Sequence, residues 1–149
     1  MPAGDANFGE MDNIRIVIIE DNPADVVLVQ KALAENGISP TMTHFQDGLD
    51  ALEKLCPETG SPEIIPDLII LDLRLARSEG LEILEKLRQD RQFAQTPIAI
   101  ISSSESQEDI QRAAKFGADR YILKPAQWKE FLTQVGGGIK ELLLQSNRR

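Results

Sequence analysis

Two apolar runs constrain the fold of this chain more than anything else in it. They are Ile14–Ile19, interrupted only by Arg15 at its start, and Asp67–Leu73, which reads DLIILDL. A strand with water on one side alternates apolar and polar residues. These runs do not, so each suits a strand covered on both faces. Similar runs follow at Pro97–Ile101 and, more briefly, at Arg120–Leu123, and Thr41–Phe45 is a weaker one.

Helical patterns fill the intervals. Asn22-Pro23-Ala24-Asp25 reads as a helix start: Asn22 caps, Pro23 fits the first turn, and Asp25 suits the positive helix N-terminus. Val26, Val29 and Leu33 then recur at helical spacing, and Gly37 stops the helix. After the Asp47-Gly48 turn, Leu49, Leu52 and Leu55 form the next stripe, and Cys56–Pro66 is a loop. Gly80–Gln89 carries Leu81, Leu84 and Leu87, Glu105–Phe116 runs to Gly117, and Gln127–Gln145 presents Phe131, Val135, Ile139 and Leu142. Val135, Ile139 and Leu142 keep phase across Gly136–Gly138, so one continuous helix with close packing at the glycines is expected. The charge alternation in Glu82–Arg91 reads as a solvated helix face, and Trp128 as either packing or part of an exposed patch.

Strand and helix therefore alternate five times. Right-handed crossovers turn that order into a doubly wound α/β fold: a flavodoxin-like (βα)5 five-stranded parallel sheet of order 2-1-3-4-5. The chain has 149 residues, enough for one domain. The expected division is a lead at 1–12, a domain at 13–145 and a frayed tail at 146–149. No run approaches the roughly 20 apolar residues of a membrane span, and the first ten residues lack the basic start and apolar core of a signal peptide. With 16 basic against 24 acidic residues the net charge is −8, which disfavours nucleic acid. One cysteine excludes an internal disulfide and cysteine-rich zinc sites and fits a reducing, cytoplasmic setting. The one histidine, His44, excludes paired-histidine metal sites and reads as structural or surface, and Cys56 as inert.

In such a sheet, ligands sit beyond the carboxyl ends of the strands, where the winding reverses. Glu20 and Asp21 end the first strand, Asp72 stands near the end of the third, Ser102–Ser104 follow the fourth, and Lys124 follows the fifth. An aspartate inside LIILDL is costly unless it is used or paired. Clustered carboxylates repel one another, and a hard cation such as Mg²⁺ relieves that. Carboxylates, Mg²⁺ and a lysine suit phosphoryl transfer, with a carboxylate as nucleophile. No G-x-x-x-x-G-K-[ST] occurs and no G-x-G-x-x-G follows the first strand. The Glu20–Pro23 loop would repel the phosphate of a flavin unless a metal were present, and Arg74 stands where a haloacid-dehalogenase-type phosphatase needs a second aspartate.

The runs IVIIEDNPAD, LIILDLRL, IAIISSS and YILKP, in this order and spacing, resemble the receiver domain of two-component response regulators, from about Ile14 to about Leu144. The resemblance implies that Asp72 accepts a phosphoryl group from a sensor histidine kinase or histidine phosphotransfer protein. It implies that Glu20, Asp21, Asp72 and the main-chain carbonyl of Arg74 hold Mg²⁺. Ser102 takes the place of the hydroxyl that bonds the phosphoryl oxygen, Lys124 pairs with the phosphate, and the Lys124–Pro125 bond is cis. Tyr121 matches the aromatic that turns inward when the hydroxyl moves, and Gly80 the glycine after the acceptor loop. The chain would thus catalyse its own phosphorylation and the hydrolysis of its aspartyl phosphate. Ala76 replaces the usual proline four residues after the acceptor. Arg74 is placed to contact or screen the phosphoryl group and, with Ser104, to set its lifetime.

Few residues follow the last helix, so the expectation is a stand-alone regulator read by a partner. Its EDNPADVVLVQKAL start most resembles regulators associated with phytochrome-type kinases. Phosphorylation would shift the face made by the fourth helix, fifth strand and fifth helix toward partner binding or homodimerisation. Ile110, Phe131 and Ile139 are candidate core or dimer positions there. The alternative is a receiver-like interaction module that works without phosphorylation.

Overall fold

The first strand, β1 (Arg15–Ile19), lies inside the sheet rather than at its edge, with every residue after Arg15 buried. A computed structural model describes residues 13–62, 64–75 and 78–146. The expected lead at 1–12, residues 147–149 of the expected tail, and Ala76 lie outside the described residues. Ser146, placed in that tail by its sequence, closes the last helical turn, where its hydroxyl donates to the Leu142 carbonyl at 3.0 Å.

After β1 come α1 (Pro23–Glu35), β2 (Thr41–Phe45), α2 (Gly48–Leu55), β3 (Leu68–Asp72) and α3 (Gly80–Gln89). A short 3-10 turn at Arg91–Phe93 leads to β4 (Ile98–Ser102), α4 (Gln107–Lys115) and β5 (Arg120–Leu123). The last helix is continuous but not uniform. α5 (Trp128–Phe131) passes through a π-helical segment, Leu132–Gly136, into α6 (Gly137–Ser146). All strand pairings are parallel and the order is β2-β1-β3-β4-β5, as the alternation of runs predicts.

Successive strand residues point to opposite faces, and the core divides accordingly. Ile16, Ile18, Leu68, Ile70, Ala99 and Ile101 pack under α1 and the last helix. Val17, Ile19, Ile69, Leu71, Ile98 and Ile100 pack under α2, α3 and α4. Each fully buried Leu or Ile contributes about 1.5–3 kcal/mol, which is why the runs that lack polar alternation hold the centre. At the helix ends, Asn22 accepts from the Ala24 amide and Asp47 from the Leu49 amide. Gly37 and Gly117 take the left-handed conformation just past α1 and α4, at φ of 77° and 102°.

Several expectations need correction. The buried stripe of α2 is Gly48, Ala51 and Leu55, while Leu49 is 50% exposed. Asp47 caps the helix and Gly48 begins it, so the face turned to the core is rotated from the leucine pattern. Arg88 does not belong to a solvated face. Its guanidinium donates to the carbonyls of Gly117, Phe93 and Thr96 and to the Asp119 carboxylate. Phe131 and Ile139 are core residues, and Ile110 is half-buried. Trp128 does both things its sequence allows: it stacks on Phe131, with centroids 5.8 Å apart, and stays 40% exposed. No cis peptide bond occurs among the described residues. The Lys124–Pro125 bond is therefore trans, the isomer favoured for X–Pro by about 0.5–1 kcal/mol.

Candidate functional site

Parallel strands end at one rim, and the residues singled out there meet. Lys124, just past β5, donates its main-chain N–H to the Ser102 carbonyl at 2.8 Å. Its ammonium reaches across the rim to Glu20 Oε1 at 2.7 Å, Asp25 Oδ2 at 3.0 Å and Asp72 Oδ2 at 3.2 Å. Glu20, Asp72 and Ser102 are buried, unusual positions for charged and polar groups that lack a task or a partner.

Local backbone fixes the acids. The Glu20 main chain donates to the Phe45 carbonyl at 3.0 Å, and its side chain accepts from the Asn22 amide at 3.2 Å. His44 lies 2.6 Å from the Glu20 carbonyl through Nε2, which donates because a carbonyl can only accept. The histidine is thus a prop for the end of β1, in keeping with its structural reading. Asp72 Oδ1 accepts from the Arg74 amide at 3.1 Å. Beyond it the main chains of Arg74 and Glu79 pair in an isolated antiparallel β-bridge, and the Gly80 amide donates to the Leu73 carbonyl at 2.8 Å. A Cβ on Gly80 would run into the Asp72 carbonyl and come within 2.7 Å of Leu73 Cα, so only glycine permits this approach.

Glu20, Asp21 and Asp72 each offer a carboxylate oxygen, and these oxygens all lie within 4.8 Å of one another. Three hard anionic oxygens this close suit a small divalent cation of the Mg²⁺ or Mn²⁺ kind. The electrostatics agree. Burial, and then the neighbouring Asp72 carboxylate, push Glu20 up to about 8 despite the Lys124 ammonium. Burial alone would lower Lys124, but Glu20, Asp72 and Asp25 outweigh it and hold the lysine above its ordinary value. One ammonium among four carboxylates leaves the rim with excess negative charge, which a divalent cation would offset.

The hydroxyl side of the rim is a separate network. Ser102 Oγ accepts from the Ser104 amide at 3.1 Å, and Ser104 Oγ donates to Asp109 Oδ2 at 2.6 Å. The same Asp109 oxygen lies 3.5 Å from the Arg74 guanidinium, which is otherwise largely exposed. The Tyr121 hydroxyl donates to the Ser104 carbonyl at 2.9 Å. Sequence reasoning missed Asp25 and Asp109. Each stands in the first turn of a helix, where an acid already has a local explanation. Only their partners reveal a further use.

A family model for the response regulator receiver domain matches residues 16–136. The chain is 29% identical over 148 residues to a probable methanogenesis regulatory protein, FilR2, of Methanothrix harundinacea, covering 99% of this chain and 94% of that one. The crystal structure of the phosphorylated cyanobacterial phytochrome response regulator RcpA is similar with a TM-score of 0.79 at 31% identity, over 90% of this chain and 96% of RcpA. The Mn²⁺-bound form of response regulator Rcp1, a Synechocystis protein, is similar with a TM-score of 0.73 at 29% identity, over 83% of this chain and 90% of that one.

Proposed function

This chain belongs to the response regulator receiver domain family, and we propose on that basis that Asp72 is its phosphoryl acceptor. The observation that carries the reading is the placement of Asp72. It is buried at the switch point of the sheet, 3.2 Å from the Lys124 ammonium and grouped with Glu20 and Asp21.

A receiver domain works with a histidine-kinase-type phosphodonor. In the proposed step an Asp72 carboxylate oxygen attacks the phosphorus of a partner's phosphohistidine. The P–O bond forms as the P–N bond breaks, and the imidazole keeps the electron pair. Glu20, Asp21, Asp72 and the Arg74 carbonyl would hold Mg²⁺, which supplies Lewis-acid neutralisation of the phosphoryl oxygens. Lys124 adds a positive point charge beside the acceptor, and the Ser102 hydroxyl is the donor for a phosphoryl oxygen. Ser102 now accepts from the Ser104 amide, so its own hydrogen is available for that bond.

The response is a population shift. Ser102, Ser104 and Tyr121 are joined by hydrogen bonds, so movement of Ser102 toward a phosphoryl group would be felt at β5 and α4. The face made by α4, β5 and the last helix, from Trp128 to Ser146, would then change its affinity for a partner or for a second copy of the chain. The likeness to RcpA, a phytochrome response regulator, supports a phytochrome-type sensor kinase as donor, and the lone cysteine fits a reducing, cytoplasmic setting. No helix among the described residues is long and apolar enough to cross a membrane.

Incubation with acetyl phosphate and Mg²⁺ tests the reading. The expected product is an acid-stable adduct of one phosphoryl group, lost on chelation of the metal before labelling and absent from Asp72→Asn. A protein that takes up no phosphoryl group would instead be the phosphorylation-independent interaction module. Light scattering with and without beryllofluoride and Mg²⁺ tests dimerisation: a mass that stays monomeric at high concentration excludes it.

A further inference from the structure

We propose that Asp25 is a positioning residue for phosphoryl transfer, holding the Lys124 ammonium against the Asp72 carboxylate. This rests on the reading of Asp72 as the acceptor.

An ammonium has three N–H donors. Lys124 commits them to three carboxylates, Glu20 at 2.7 Å, Asp25 at 3.0 Å and Asp72 at 3.2 Å. Two of these acceptors also belong to the three-carboxylate group at the rim, and Asp25 does not. A divalent cation drawing on Glu20 and Asp72 would share those two carboxylates with the lysine. Transfer of a phosphoryl group to Asp72 then turns one of its carboxylate oxygens into the bridging oxygen of an acyl phosphate and moves the negative charge out onto the phosphoryl oxygens. Asp25 is the anchor that neither event alters.

The placement of Asp25 is rigid as well as close. It sits in the first turn of α1, whose start is set by the Asn22 cap and Pro23, and its amide donates to the Asn22 carbonyl at 3.1 Å. An acid at this point gains from the helix dipole whatever its side chain touches. The dipole does not explain why the carboxylate meets a lysine 99 residues further along the chain. Lys124 has a long, flexible stem, and a fixed partner on a helix restrains it where a solvated one would not.

The test follows transfer from acetyl phosphate to the full chain in Mg²⁺. In this reaction the bond between phosphorus and the acyl oxygen breaks, acetate leaves with the electron pair, and the Asp72–phosphorus bond forms. Asp25→Asn keeps the shape and removes the charge. The expected result is a fall in kcat/KM of about tenfold to a hundredfold, the upper figure being the order of loss when a reacting group is misplaced by about 1 Å. Asp25→Glu, which restores the charge on a longer stem, should recover part of it. In a Lys124→Ala background Asp25→Asn should cost nothing further. The Lys124 ammonium should also lose protection in Asp25→Asn, its hydrogens exchanging about tenfold faster by NMR in the Mg²⁺-loaded protein. Unchanged labelling and unchanged exchange would overturn the inference, as would an equal loss without Lys124. A Mg²⁺ affinity weakened more than tenfold would overturn it too, by making Asp25 a ligand. If the native protein takes up no phosphoryl group, the acceptor reading fails and this inference with it. If the native protein labels and Asp25→Asn labels equally well, this inference fails alone.

Discussion

The side-chain amide of Asn36 donates to the Leu132 carbonyl at 3.0 Å, joining the end of α1 to the last helix across 96 residues of sequence. Its other hydrogen goes to the Ala32 carbonyl at 2.8 Å. The link lies at the π-helical segment, where Gly136 comes so close to α1 that a Cβ there would strike the Asn36 amide and the Ala32 carbonyl. One residue further on, a Cβ on Gly137 would meet nothing within 4 Å. Adjacent glycines should therefore respond with opposite signs. Gly136→Ala is expected to destabilise the fold by about 1–3 kcal/mol through overpacking. Gly137→Ala should stabilise it by about 0.5–1 kcal/mol, the ordinary advantage of alanine in a helix. Urea unfolding with unchanged m-values checks both, and equal shifts would refute this account of the packing.

Arg88 joins α3 to the loops at the opposite rim. It donates to three main-chain carbonyls and pairs with Asp119 at 2.8 Å, while Asp119 also accepts from the Ile98 amide at 2.9 Å. Arg88→Ala leaves several acceptors without their donor and should cost about 2–4 kcal/mol. Arg88→Lys should recover little, because a point charge cannot reproduce the guanidinium fork. Thermal unfolding would show the difference, and a lysine variant as stable as the native protein would count against it.

Gly80 lies beside the acceptor strand. Gly80→Ala would force its Cβ against the Asp72 carbonyl and Leu73, so the loop carrying Arg74 must shift. The expected cost is about 1–3 kcal/mol. Labelling by acetyl phosphate should also slow, since the displaced backbone carries the amide that holds Asp72 Oδ1. Normal labelling in a folded Gly80→Ala protein would show that the loop can relax without disturbing the acid.

Cys56 should be a slow thiol. Burial, with the Asp90 carboxylate beside it, pushes its pKa from 9.0 up to about 12. The thiolate is the reactive form, so alkylation by iodoacetamide at pH 8 should run about a thousandfold slower in the folded protein than in urea, by the ratio of thiolate fractions. The folded rate should climb with pH up to about 12. Because the folded state holds this proton more tightly, the associated stability is present below pH 9.0 and is lost as pH rises toward 12. Equal rates in the two states would overturn the assignment.

Much of the site was legible beforehand because its residues break a local pattern. Asp72 interrupts an apolar run, and Glu20 and Asp21 end another. A buried acid is expensive enough that such positions stand out from one sequence. Asp25 and Asp109 were not legible as site residues, since an acid in a first helical turn needs no other reason. Leu49 misled for a related cause. Three leucines at helical spacing suggest a buried face, but the cap at Asp47 sets the phase, and small residues, Gly48 and Ala51, fill it instead.

By itself the sequence determined the parallel sheet, its order and the gathering of acids and lysine at one rim. Strand runs without polar alternation must be covered on both faces, and right-handed crossovers leave few ways to arrange them. Only the tertiary structure decided which partners each of those groups takes. The Lys124 ammonium among Glu20, Asp25 and Asp72, the Ser104–Asp109–Arg74 link, and the joint of Asn36 to Leu132 all depend on where separate crossovers bring elements within about 3 Å of one another. Periodicity is a local property and carries no record of such meetings.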